Sequence, residues 1–320
     1  MINKYFVIPL VIVACMLNLQ ACSSGGDATT TVAGGGRGGT EYGFVTISIT
    51  DAPVDIATEV RVQFNGIEFM PAETSSEQEP ILVMFDQPVS IDLLELQGNK
   101  SKTLLSNEIL PTGQYDWIRL KITAIKDGIM DSYIRLVDGS VYELDMPSGL
   151  DVGLKIVGGL EIIANTPSAK TIDFDLRKSV VMGALGDFKI KPTLKLVSND
   201  QSGTIEGTVN IGELVSPDCS DLDPDTGNAV YLYEGFNVEP DDIDGLDPEP
   251  VASALVKMNG TTGNYEYSFG FVPFGKYTLV MTCTSDIDDP EDDDTLDFTT
   301  TKNINLTSST AKILPQSAFR

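Results

Sequence analysis

Apolar residues recur at every second position through most of this chain, and that period constrains its fold more than any other feature. Phe44-Val45-Thr46-Ile47-Ser48-Ile49 alternates bulky apolar with small polar side chains until Asp51-Ala52-Pro53 breaks the run. Val60-Arg61-Val62-Gln63-Phe64 repeats the pattern ahead of Asn65-Gly66. Because successive side chains of a strand point to opposite faces, each run predicts a half-buried β-strand, and Asn65-Gly66 predicts a tight turn after the second of two antiparallel strands. Tyr133 to Val137 and Ser140 to Leu144 flank Asp138-Gly139, a pair suited to the positive φ angles of a type I′ hairpin turn. Only Ile91 to Gln97, with Leu93, Leu94 and Leu96, reads as a short helical turn.

A second alternating stretch begins at Gly203-Thr204-Ile205-Glu206-Gly207-Thr208-Val209, after the polar run Ser198 to Ser202, and continues through Ala229 to Tyr233, Gly263 to Phe269 and Val272 to Met281. Several short strands separated by turn signals predict a sandwich. At 320 residues, 42% of them hydrophobic, the chain is long enough for roughly two domain cores. The expectation is an all-β protein with two β-sandwich domains in tandem, at 41–200 and 203–320. Pro-x-Gly-x-Tyr occurs in each, at Pro111 to Tyr115 and Pro273 to Tyr277. Proline fixes φ, glycine supplies an angle other residues avoid, and the tyrosine ring turns inward with its hydroxyl free to bond backbone.

Residues 1–21 read as a cleaved export signal. Lys4 precedes an apolar run from Tyr5 to Leu17, shorter than the roughly 20 residues that span a membrane. Leu19-Gln20-Ala21-Cys22 resembles a lipobox, with Gln20 where a smaller residue is usual, and predicts lipid attachment at Cys22. Ile12-Val13-Ala14-Cys15 is a rival by residue type but leaves a very short signal. Ser23-Ser24 after the cysteine resembles the pattern sent on to the outer membrane in bacteria with two membranes. Residues 22–40, rich in Gly, Ser and Thr, predict a flexible tether.

The chain has no histidine, which removes the usual general base of serine and cysteine hydrolases and the commonest catalytic zinc ligand. From residue 201 onward 22 acidic residues stand against 5 basic ones. A field of that sign repels phosphate backbones and favours cations or basic surfaces, so nucleic acid is excluded as a partner. Once the signal region is set aside, Cys219 and Cys283 are the cysteines left to pair, 64 residues apart, and an oxidising compartment predicts their disulfide. Asp221, Asp223 and Asp225 alternate like a calcium loop, but Gly227 falls one place late and Leu232 occupies the position of the bidentate glutamate. An EF-hand is therefore rejected. Acidic clusters run from Asp218 to Asp225, Glu239 to Glu249 and Asp286 to Asp297; calcium bound by such looser loops, with the disulfide drawing the first and third together, stands beside a reading of solvated loops.

Tyr42-Gly43-Phe44 through Thr50-Asp51-Ala52-Pro53, Leu110 to Tyr115, Ile172 to Val180 and Lys191 to Val197 follow one another in order. Together they resemble the bacterial lipoprotein family called domain of unknown function 4382, which implies an exported β-sandwich with no assigned activity. Gly203 to Val209, Gly263 to Phe269 and Val272 to Leu279 resemble the carboxypeptidase regulatory-like domain, a transthyretin-like sandwich. That resemblance implies an accessory module, of which some relatives bind carbohydrate.

Two sets of residues in the first block are candidates for ligand binding. Asp173, Asp175 and Arg177 sit two apart, so on a strand they share one face, where they would bind a cation or orient an anionic group, or simply pair with one another and Lys178. Tyr115 and Trp117 share the face opposite Ile118, Leu120 and Ile122 on an expected strand. There they either stack a sugar ring or pack beneath a neighbour. Asp51 reads as a turn former. The leading functional reading is a non-enzymatic, lipid-anchored envelope module binding a polysaccharide or another envelope protein; a structural or assembly role comes second. A hydrolase built on Asp173 and Asp175 comes last, because glycosidase carboxylates stand roughly 5 to 9.5 Å apart across a cleft rather than on one strand.

Overall fold

The computed structural model describes residues 40–314 except positions 53, 55, 73–78, 147–152, 184–185, 192, 217–218 and 220–221. Cys22, the export signal, nearly all of the tether and Asp221 lie outside the described residues. Those described are all-β, as the alternation predicts. The first block supplies β1 (Tyr42–Ala52), β2 (Ala57–Pro71), β3 (Ile81–Asp92), β4 (Lys102–Pro111), β5 (Gly113–Thr123), β6 (Tyr133–Leu136), β7 (Val141–Asp145), β8 (Leu154–Ile162), β9 (Pro167–Asp175), β10 (Val180–Met182), β11 (Phe188–Ile190) and β12 (Leu194–Ser198). One sheet has the order β12-β9-β1-β4, with β1 parallel to β9. The other runs β10-β11-β7-β6-β2-β5-β8, with β3 added to β2. Between them Val45, Ile47 and Ile49 of β1 meet Val62, Phe64, Ile118, Leu120 and Phe174 in one buried cluster.

Asn65-Gly66 does not turn the chain. The strand β2 runs straight through it, and its inward positions switch from Val60, Val62 and Phe64 to Ile67 and Phe69 across a register shift between Phe64 and Gly66. One extra residue in the strand exchanges the two faces, which is the effect of a β-bulge. Glycine is required because a Cβ at position 66 would lie 2.5 Å from the Val83 carbonyl oxygen of β3. The Asn65 side-chain amide donates to the Thr123 hydroxyl at 2.8 Å, holding the bulge to β5. The expected pairing of β1 with β2 also fails, since they lie in different sheets. At Asp138-Gly139 the hairpin forms as expected, but Gly139 alone of the pair has positive φ, at 87°, so the turn is not type I′. The helical turn appears as a single 3₁₀ turn, Leu93–Leu96.

The second block supplies β13 (Ser202–Val209), β14 (Ala229–Glu234), β15 (Ala252–Leu255), β16 (Lys257–Met258), β17 (Tyr265–Pro273), β18 (Gly275–Thr282), β19 (Lys302–Leu306) and β20 (Lys312–Leu314). The sheets β16-β17-β13-β20 and β15-β14-β18-β19 enclose Ile205, Val209, Val230, Leu232, Tyr267, Phe269 and Leu279. The nearly continuous apolar run of β14 marks a strand covered on both faces. Tyr231 and Tyr233 on its outer side pack with Val280, Ile243 and Leu296. Ile243 and Leu296 come from the acidic insertions, so these are more than solvated loops: they fold over the outer face of a sheet.

Both Pro-x-Gly-x-Tyr motifs act as expected of scaffold. The Tyr115 hydroxyl donates to the Pro111 carbonyl at 2.8 Å and the Tyr277 hydroxyl to Pro273 at 2.7 Å. Gly113 has φ of 136°, whereas Gly275 keeps no positive angle.

The sandwiches meet directly. Asp175 ends β9 and caps a one-turn helix, α1 (Leu176–Ser179), by accepting the Lys178 amide at 3.3 Å. From that turn Arg177 reaches into the second block, where it is 4% exposed and donates to the Ser285 carbonyl at 2.7 Å. Its guanidinium lies 3.8 Å from the Asp288 carboxylate and over the Tyr231 ring. Lys178 pairs with Glu249, Lys191 with Glu291, and Lys195 donates to the Val251 carbonyl at 2.7 Å. On another side Gly98 and Gly270 bring two backbones together so closely that a Cβ on Gly270 would run into the Gly98 carbonyl oxygen. Among the described residues no helix is long and apolar enough to cross a membrane.

Cys219 and Cys283 form the expected disulfide, with Cα atoms 5.3 Å apart and both residues buried in the second core. Closing a loop of that length contributes about 4 kcal/mol in the chain-entropy account. A Cys219→Ser, Cys283→Ser double variant should therefore melt well below the oxidised protein by circular dichroism; an unchanged midpoint would contradict a structural role for the bond.

Candidate ligand cleft between the sandwiches

Asp51 closes the alternation that sends Val45, Ile47 and Ile49 inward, and it follows them: it is 5% exposed, at the end of β1. It is no turn former, because β1 continues alongside β9 with Asp51 opposite Phe174 and Thr50 opposite Asp173. Neither Asp51 carboxylate oxygen has a hydrogen-bond partner. Burial holds its pKa well above the usual carboxylate range, reinforced by the negative charges of Asp173 and Asp175, while the Leu176 amide works the other way. Asp173, half-buried, is pushed up to about 6 by desolvation and by Asp175, with Lys195 opposing. Asp175 is raised mainly by burial, against Lys178 and its amide, Lys195 and Arg177.

Asp51 and Asp173 open onto a cleft of about 460 Å³ between the two sandwiches. Thr50, Gln97 and Gly98 line it from the first block, and Glu206, Thr208, Ser253, Glu266, Tyr267 and Ser268 from the second. Its volume lies within the range of small-molecule sites, roughly 300–1,000 Å³. Glu266 is held by the Asn259 amide at 2.8 Å and the Thr262 hydroxyl at 2.9 Å. The Ser268 hydroxyl, like the Asp51 carboxylate, has no hydrogen-bond partner. Burial raises the Tyr267 phenol, so it stays protonated. The cleft thus offers several acceptor oxygens, some with hydrogen-bonding capacity unmet by the protein.

The other expected candidates are placed differently. Asp173 and Asp175 are close enough to interact, but Asp175 is committed to capping α1. Arg177 leaves the strand altogether and docks the second sandwich, so it does not orient a ligand beside them. Tyr115 and Trp117 do not share a face: a register shift between them turns Tyr115 into the core, edge-on to Phe69 at 6.3 Å. Trp117 remains half-buried on the outer face, with the Arg119 guanidinium 4.5 Å and the Lys155 ammonium 4.9 Å from its ring centre. Both cations lie within cation–π distance of the ring. Asp223 and Asp225 shape a loop. The Asp223 carboxylate accepts the Asp225 amide at 2.9 Å, and Asp225 accepts the Tyr265 hydroxyl at 3.1 Å. The carboxylates that converge are instead Asp242, Asp288 and Asp294, and Asp242, Asp244 and Asp293. Among the described residues these groups come from the acidic stretches Glu239 to Glu249 and Asp286 to Asp297.

Asp51 escapes a sequence reading that treats Asp before Ala-Pro as a turn, although its parity with Ile47 and Ile49 was the available signal. The raised values of Asp51 and Asp173 fix a pH dependence. The folded protein holds these protons to higher pH than the unfolded chain, whose aspartates titrate near 3.9. Stability from these groups is therefore full below about pH 4 and falls as pH rises through the folded values. Asp51→Asn should melt higher than the parent at pH 7.5, by about 1–3 kcal/mol, and the gain should shrink toward pH 4.5. An equal gain at both pH values would contradict the assignment.

No curated protein matches the chain. Among solved structures, it is similar over 85% of its length to 33% of the Bacillus anthracis TIE protein, at 12% identity and a TM-score of 0.19. The chain thus spans about a third of that protein. A Pseudomonas aeruginosa protein provisionally described as carbohydrate binding matches 37% of this chain and 91% of its own, at 16% identity and a TM-score of 0.20. The minor pilin GBS52 of Streptococcus agalactiae matches 84% and 93%, at 11% identity and a TM-score of 0.18. A family match falls where the ordered motifs predicted it: residues 42–192, the first sandwich, match the family described as "Domain of unknown function (DUF4382)".

Proposed function

We propose that this chain is a non-enzymatic binding protein of the cell envelope, tethered through a lipid on Cys22, which holds a small hydroxyl-rich ligand such as a sugar in the cleft between its sandwiches. The buried, unpartnered Asp51 carboxylate at the margin of that cleft carries the reading. A buried acceptor without a partner costs about 1–3 kcal/mol, more when charged, and a ligand hydroxyl donating to it recovers that cost on binding. Ser268, Thr208 and Ser253 add hydroxyls around the same space, the complement a sugar uses. The cleft is negatively charged, which disfavours phosphorylated or acidic glycans and selects neutral or amino sugars. Two membranes and a signal at Ser23-Ser24 would place the protein at the outer one.

The test is binding of the soluble chain from residue 40 onward to a broad glycan panel. Saturable binding should weaken about tenfold in Asp51→Asn, the loss of one hydrogen bond to a buried acceptor, and stay at parent strength in Trp117→Ala on the outer face. Binding that is lost in Trp117→Ala and kept in Asp51→Asn would contradict the cleft, and no saturable binding would contradict a sugar ligand.

A further inference from the structure

We propose that the acidic loops of the second sandwich hold a calcium ion at Asp242, with Asp244 and Asp293 on its more exposed side and Asp288 and Asp294 closing the inner side. Oxygens of Asp242, Asp288 and Asp294 lie within 4.8 Å of one another, and so do oxygens of Asp242, Asp244 and Asp293, which makes Asp242 common to both groups. Asp242 is 1% exposed, and its Oδ2 accepts the Asp294 amide at 2.6 Å while its Oδ1 has no hydrogen-bond partner. A carboxylate oxygen so buried and without a partner is suited to a cation. Asp288 is better satisfied: it accepts the Ile243 amide at 3.1 Å and the Tyr231 hydroxyl, and Arg177 stands beside it.

All the candidate ligands are carboxylate oxygens on irregular loops, with no nitrogen or sulfur among them. Calcium accepts 6–8 oxygen ligands at 2.3–2.6 Å in adaptable geometry, whereas magnesium demands a near-octahedral cage and zinc prefers nitrogen and sulfur. Water and backbone carbonyls complete such a shell. The site is separate from the cleft and from Asp223 and Asp225. It joins the loop around Asp242 to the loop around Asp293, the second of which also receives Arg177 and Lys191 from the first sandwich. Calcium would therefore stiffen the loops against which the sandwiches dock.

Calorimetric titration of the chelator-stripped full chain with calcium should show a site with a dissociation constant on the order of 10⁻⁴ to 10⁻³ M, as in extracellular modules. Calcium should raise the melting temperature by several degrees and magnesium much less. Asp242→Asn and the exposed Asp293→Asn should each weaken binding tenfold or more, while Asp223→Asn leaves it unchanged; melting each variant in chelator verifies that it folds. Failure of the parent to bind, or full-strength binding by both Asp242→Asn and Asp293→Asn, would overturn the proposal.

Discussion

The architecture depends on one buried cation. Arg177 leaves the first sandwich on a one-turn helix and is sequestered against Ser285, Asp288 and Tyr231 of the second. A guanidinium out of water is tolerated only where carbonyl and carboxylate oxygens replace its hydration. The acidic loops supply that environment. Their excess of negative charge would be a liability on a free domain, since it repels itself. Here basic side chains of the first sandwich, Arg177, Lys178 and Lys191, insert among Asp288, Glu249 and Glu291, and part of the repulsion is converted into attraction across the interface.

The cleft follows from this docking. Ion pairs hold one side of the interface, and the backbone approach of Gly98 to Gly270 holds another. Between them Asp51 and Asp173 face Glu206 and Ser268 across a space that neither sandwich forms alone. The acidic loops do a third thing: Ile243 and Leu296 anchor them over Tyr231 and Tyr233, which fixes the positions of the neighbouring aspartates.

What was legible in the sequence is what depends on local pattern. Alternation found the strands, two Pro-x-Gly-x-Tyr motifs announced two tyrosines whose hydroxyls bond backbone, and the cysteine count found the disulfide. What was not legible depends on register and on docking. A bulge at Gly66 turned an expected turn into a continuous strand, and a shift after Tyr115 separated two aromatics that period two had placed together. Arg177 looked like a strand residue because the helix that carries it is a single turn capped by Asp175. The convergence of Asp242 with Asp288, Asp293 and Asp294 requires two loops far apart in sequence to fold over one sheet face, which no spacing rule encodes.

The central claim, that Arg177 couples the sandwiches into one cooperative unit, is tested most directly by differential scanning calorimetry of Arg177→Met. Removing the guanidinium leaves Asp288 buried beside an apolar side chain, a loss of about 3–5 kcal/mol for a broken buried pair. The parent should melt in a single transition, and the variant should melt lower with its endotherm split into two. A variant that still melts in one transition at the parent temperature would contradict the account.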